Sequence, residues 1–199
     1  MMRFVEKLAE LESVNPVKVQ KNGTKLVGIP EQNPPLAKHY IYAPMSGELK
    51  KHLTDSYKRT IPEQLLKVYD AANGCNLFWR CMELAGGKFR IPVAQLSVYG
   101  VPAGPNTVNT IEPYNISIED LDRPAMTPNH WLKFGSYRDF GQAKMIEFDL
   151  FVDVDCGVVY SLIRKSETCL PEQTWNSMDA CLCQLFDAMY VRSLDPGNR

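Results

Sequence analysis

Apolar residues recur at helical spacing at both ends of the chain and in its middle. Phe4, Val5, Leu8 and Leu11 follow a helical period that stops at Asn15-Pro16, which predicts an N-terminal helix. Leu49, Leu53 and Tyr57 recur every four residues behind Ser46, a residue suited to a helix N-cap, while Lys50, Lys51, Asp55 and Lys58 occupy the other faces. Pro62 fits the first turn of a further helix over residues 63–72, where its missing N–H is not needed. Asn73-Gly74 closes that helix. Thr174 is placed to cap the last helix, in which Trp175, Met178, Leu182, Leu185 and Met189 form one stripe.

Alternation marks the strands. Ile146, Phe148 and Leu150 share one face of residues 145–150 while Glu147 and Asp149 take the other, the pattern of a half-buried strand. Asp155-Cys156-Gly157 supplies a turn, and the β-branched run 158–163 is then expected to pair antiparallel with 145–150. Shorter strand candidates are residues 76–80, 89–96, 116–121 and 131–134, the last ending at Gly135. Between Val17 and Pro44 the residues Asn22-Gly23, Pro30, Pro34-Pro35 and Pro44 rule out a long helix and suggest a hairpin-like turn followed by an extended arm. The expected organisation is an N-terminal helix and arm over residues 1–45 and a single α+β domain over residues 46–195, with an antiparallel sheet of about five to six strands backed by helices.

Composition narrows the class without naming a function. With 45% hydrophobic and 23% charged residues among 199, the chain has globular proportions rather than disordered, collagenous or membrane ones. No apolar run reaches a bilayer span, and the start Met1-Met2-Arg3-Phe4-Val5-Glu6 has no long apolar signal region, so a cytosolic location is expected. A net charge of -1 argues against nucleic-acid binding through phosphate contacts. Residues 1–60 hold ten Lys/Arg against six Asp/Glu, and the remainder twelve against seventeen, so the later part is mildly acidic. Six cysteines, at 75, 81, 156, 169, 181 and 183, are expected to stay reduced in that compartment.

The chemistry-bearing residues form no recognised constellation. His39, His52 and His130 have no second ligand at metal-site spacing, and Cys181 and Cys183, two residues apart on a helix, point about 200° from one another. There is no Gly-x-Ser-x-Gly elbow and no phosphate-binding glycine loop, so no catalytic, cofactor-binding or metal-binding residue is assigned. Glu147, Asp149, Asp153 and Asp155 place four carboxylates within nine residues with no basic residue among them. Calcium-loop spacing is absent, which leaves a solvated strand face and turn or an electrostatic docking face for a basic protein. Trp131, Phe134 and Tyr137 are candidate anchors for such a face, with burial in the core as the competing role.

Two stretches, one over residues 61–74 and one running from Trp131 through Phe148-Asp149 and Gly157 to Thr174-Trp175, together resemble the SUKH superfamily, the Smi/Knr-type group of bacterial toxin-immunity proteins and yeast regulators of cell-wall glucan synthesis. Ile61-Pro62-Glu63-Gln64-Leu65-Leu66, continuing to Asn73-Gly74, resembles the family's Leu-Pro helix ending in Asn-Gly. Trp131-Leu132-Lys133-Phe134-Gly135, Phe148-Asp149, Gly157-Val158-Val159-Tyr160 and Thr174-Trp175 resemble its later strands and last helix. Residues 13–45 have no clear counterpart, Trp175 stands for the usual Phe, and the stretch between Cys81 and Asn129 is longer than in a minimal member. The resemblance implies an α+β fold and a non-enzymatic protein-binding function: an intracellular immunity-type protein that neutralises a cognate toxin. Their charge makes Glu147, Asp149, Asp153 and Asp155 the expected partner-binding face for such a protein. The alternatives are a regulatory adaptor, such as a cell-wall synthesis regulator, and an unanchored small-molecule or nucleotide enzyme.

Overall fold

The computed structural model describes residues 2–28, 38–57, 61–84, 89–101, 127–140, 145–164 and 170–193. Helix α1 spans Arg3–Val14, α2 Gly47–Tyr57, α3 Glu63–Ala71 and α4 Met178–Ser193. The periodic apolar residues do what their spacing requires: Phe4, Leu8 and Leu11 of α1, Leu65, Val68 and Tyr69 of α3, and Met178, Leu182, Leu185 and Met189 of α4 are buried in one core. Ser46 Oγ accepts the Leu49 N–H at 3.2 Å and so caps α2. The first and last helices pack on each other, with Phe4 N–H donating to Asp179 Oδ1 at 2.9 Å and Phe4 and Phe186 meeting edge to face.

Nine strands form one antiparallel sheet: β1 (Val17–Val19), β2 (Lys25–Val27), β3 (His39–Ile41), β4 (Cys75–Leu77), β7 (Leu96–Val98), β8 (Trp131–Phe140), β9 (Met145–Asp153), β10 (Val159–Ile163) and β11 (Gln173–Trp175), in that spatial order. Strands β5 (Arg80–Leu84) and β6 (Phe89–Val93) form a separate antiparallel pair. The class is therefore α+β with an antiparallel sheet, but the sheet is larger than the five to six strands expected. Much of the excess comes from residues 17–44, where the hairpin-like turn expected at Asn22-Gly23 joins β1 to β2 and part of the expected arm is strand β3. There Lys25–Val27 pairs with both β1 and β3, and Val27, Tyr40 and Ile41 are buried.

Antiparallel partners lie on the same face, so the register sorts the side chains. One face carries Val27, Ile41, Leu77, Leu96, Val98, Leu132, Tyr137, Leu150, Val152 and Val159, which pack with the four helices in the main core. The pairing of β9 with β10 is as expected, with Phe148 opposite Ile163 and Val152 opposite Val159. Leu150 is buried as its alternation implies, whereas Ile146, near the strand's start, is 40% exposed.

Several boundaries shift for identifiable reasons. Strand β8 does not end at Gly135 but runs through it, with a bulge between Lys133 and Gly135. A Cβ at Gly135 would lie 2.4 Å from the Ser97 carbonyl oxygen, so the glycine permits the close approach of β7 rather than ending β8. The run 89–96 divides into β6 and β7 around Ala94-Gln95. Thr174 sits in β11, and the cap of α4 is Ser177, whose Oγ accepts the Ala180 N–H at 3.1 Å. The strand expected at 116–121 lies outside the described residues.

Candidate functional site

The sheet face away from the helices is where β8, β9 and β10 gather polar and charged residues. Register puts Lys133 opposite Phe151, Ser136 opposite Asp149 and Arg138 opposite Glu147, while Arg164 follows the end of β10 and donates its backbone N–H to the Glu147 carbonyl. Asp149, only 2% exposed, accepts hydrogen bonds at Oδ1 from Arg164 Nε at 2.8 Å and Nη2 at 2.6 Å, and its Oδ2 lies 3.3 Å from Lys133 Nζ. Glu147 pairs with Arg138 and, at 2.7 Å, with Arg164 Nη1. Arg138 also donates to the Ala94 carbonyl at 2.6 Å, and Arg164 to the Tyr99 hydroxyl oxygen at 3.0 Å.

Three cations and two carboxylates thus form one network. Burial lowers the pKa of Arg164, but the hydrogen bond and charge of Asp149, with Tyr99 and Glu147, more than reverse this and raise it. Such a network holds strands in register, because removing one member leaves a charge unpaired where water reaches it only in part. Beside it, Trp131 stacks on Tyr160 with ring centroids 4.1 Å apart, over Phe151 and Leu162.

The second polar group lies at the turn between β9 and β10. The register pairs Trp131 with Asp153, which brings His130 to the turn: its Nε2 is 3.4 Å from Asp153 Oδ2. Asp153 Oδ1 accepts the backbone N–H groups of Asp155 at 2.9 Å and Cys156 at 3.3 Å. Desolvation pushes the Asp153 carboxyl up, but these two N–H donors, the Cys156 thiol and His130 outweigh it and leave the pKa lowered. Gly157 completes the turn at φ +76°.

One ligand atom each from His130, Asp153 and Asp155 lies within 4.8 Å of the others, a spacing that a divalent cation could bridge. Asp153 is already committed to the turn, so this arrangement also stands complete as a local structure. Sequence spacing could not find it, because His130 and Asp153 are brought together by strand register alone.

The four carboxylates singled out from the sequence do not form one open face. Glu147 and Asp149 are held in ion pairs by cations from neighbouring elements, Asp153 is buried in its turn, and only Asp155 is exposed. The absence of basic residues within the run is true along the chain and false across the sheet. Residues Trp131, Phe134 and Tyr137 are all buried, Trp131 on the polar face and the other two in the main core. His39 is buried, and its Nδ1 accepts the Phe78 N–H at 3.3 Å. Cys75, Cys181 and Cys183 are buried thiols whose pKa burial raises, while Cys156 is exposed. A signal for the missed cations existed: Arg138 and Glu147 are opposite charges placed where two flanking strands would pair.

Comparison of the chain with family models, with curated proteins and with solved structures returned no match.

Proposed function

We propose that the chain is a non-enzymatic protein-binding domain of the immunity type, akin to the SUKH superfamily, that captures a cognate toxin domain and neutralises it. The observation that carries this reading is the work done by the motif residues, each of which builds structure. Pro62 precedes α3, and Ile61 beside it is buried. Asn73 exchanges two hydrogen bonds with Val101, at 2.7 and 2.8 Å, and Gly74 turns the chain at φ +85° into β4. Trp175 is buried and donates its indole N–H to Gln184 Oε1 at 2.9 Å.

With the charges of the β8–β10 face engaged with one another, recognition falls to what is presented at the surface. Asp155, on a turn held rigid by Asp153, is the exposed member of the acidic group and the one suited to steering a basic partner. The test is capture of the partner from native cells, followed by stopped-flow association of the purified pair. Asp155→Lys should slow association at low salt, and the gap should close as the Debye length falls from about 30 Å at 0.01 M to about 10 Å at 0.1 M. Turnover of a small molecule by the purified chain, with no protein captured, would overturn the reading.

A further inference from the structure

Strand β1 ends the sheet: it pairs with β2 and has no second neighbour among the described residues. Its ladder shows which backbone groups are spent. Gln20 N–H donates to the Thr24 carbonyl and Gly28 N–H to the Pro16 carbonyl, both at 2.9 Å, so the even-numbered positions face β2. By the alternation of an antiparallel pair, the N–H and C=O of Val17 and Val19 point outward.

The side chains at this edge are exposed as well. Val17 is 39% exposed and Val19 61%, both on the helix side of the sheet, and Val14 at the end of α1 is 70% exposed. Lys18 projects from the opposite face and Lys21 from the adjoining turn, both exposed. Neither forms an ion pair with a described residue, whereas nearby Lys25 is paired with Glu12 at 2.7 Å. At the other edge of the sheet, β11 is a strand of three residues, Gln173–Trp175, preceded by Pro171.

We propose that the outer edge of β1 is a docking strand for an extended acidic segment of another protein, which adds a tenth strand beside Val17–Val19. The proposal rests on the protein-binding reading and adds a second surface to it, one that takes an acidic strand where the Asp155 turn steers a basic surface. It does not use the Asp155 turn. Backbone hydrogen bonds at Val17 and Val19 would supply attachment, as in other strand-addition complexes. The alternation at the edge sets the fitting sequence: an Asp or Glu opposite Lys18, flanked by apolar residues opposite Val17 and Val19. A second copy of the chain is a poor occupant, because pairing β1 with itself sets Lys18 against the like charge of its twin.

The experiment uses the full chain and two short fluorescent peptides, one alternating valine with glutamate and one alternating valine with lysine, read by anisotropy at low salt. The glutamate peptide should bind about tenfold more tightly than the lysine peptide. Lys18→Glu should reverse that preference. Val19→Pro, which removes an outward N–H and leaves the bonds to β2 in place, should weaken the glutamate peptide several-fold. Circular dichroism checks that both variants fold, and if Val19→Pro does not, the exposed exchange Lys18→Glu decides alone.

Equal binding of the two peptides, no binding of either at millimolar concentration, or self-association that Lys18→Glu strengthens or abolishes would overturn the proposal. The two readings fail separately. A captured partner whose binding ignores both edge variants removes the β1 site and leaves the protein-binding function standing. Peptide binding together with small-molecule turnover and no captured toxin leaves the β1 site standing and removes the immunity-type reading.

Discussion

The two ends of the sheet are held by different means. Toward one end, inside the short edge strand β11, the long strands β8 and β9 and the shorter β10 pack one face on the helices and carry on the other the network of Asp149, Glu147, Lys133, Arg138 and Arg164. At the other, β1, β2 and β3 are three residues each, and β1 buries none of its side chains. Resistance to local opening follows buried contact, so the first end should exchange its amides slowly and the second quickly. The lesson is a division of labour, in which the ion-laced region fixes the fold and the edge strand β1 keeps its outward backbone groups and side chains available, while β2 and β3 behind it are paired on both sides.

The sharpest way to break that comparison is Asp149→Ala. It leaves Lys133 and Arg164 without their shared carboxylate, and the unfolding free energy from denaturant titration should fall by about 3–5 kcal/mol. A loss under about 1 kcal/mol, the range of exposed pairs, would place those charges in water and erase the contrast. Leu182→Ala, on the helix face beneath the sheet, should cost about 2–5 kcal/mol through the cavity it opens. An unchanged midpoint would move that stripe out of the core.

An effect that appears only on acidification tests the β3 end. Burial, with the charge of Lys38 adding to it, lowers the His39 pKa to about 3. The unfolded chain binds this proton at its ordinary pKa near 6.5 and the folded chain does not. The stability that neutral His39 contributes is therefore complete above about pH 6.5, and it is lost as pH falls toward 3 at up to about 1.4 kcal/mol per pH unit. His39→Asn keeps an acceptor for the Phe78 N–H and should flatten that part of the profile relative to the unmutated chain. Parallel profiles for the two proteins would show that His39 gains its proton while folded. Smallest of all, Lys25→Ala removes a partly exposed pair with Glu12 and should shift stability by less than about 1 kcal/mol, a difference that high salt abolishes.

How far the sequence could be read follows the same division. The helices α1, α3 and α4 and the pair β9–β10 carry a period over enough residues to be recognised. Strands such as Val17–Val19, His39–Ile41 and Gln173–Trp175 are too short for alternation to show, and tertiary pairing makes them strands. Thr174 looked like a helix cap because Thr is a good one, yet Ser177 sits where the helix begins. At the site, Glu147, Asp149, Asp153 and Asp155 were visible as a group, but their partners were not. Lys133, Arg138 and His130 reach them only through the β8–β9 register, and a one-residue slip in that register would reverse every assignment.

The docking of α1 on α4 joins the first helix of the chain to the last, through Phe4 with Asp179 and Lys7 with Asp187. During synthesis the order of events follows from this. α1 leaves the ribosome long before α4, so Phe4, Leu8 and Leu11 must wait without their helical partner while the strands between are made. Closure of the core is thus a late, long-range step, and a nascent chain halted before α4 would expose the apolar stripe of α1 to whatever holds unfinished proteins in solution.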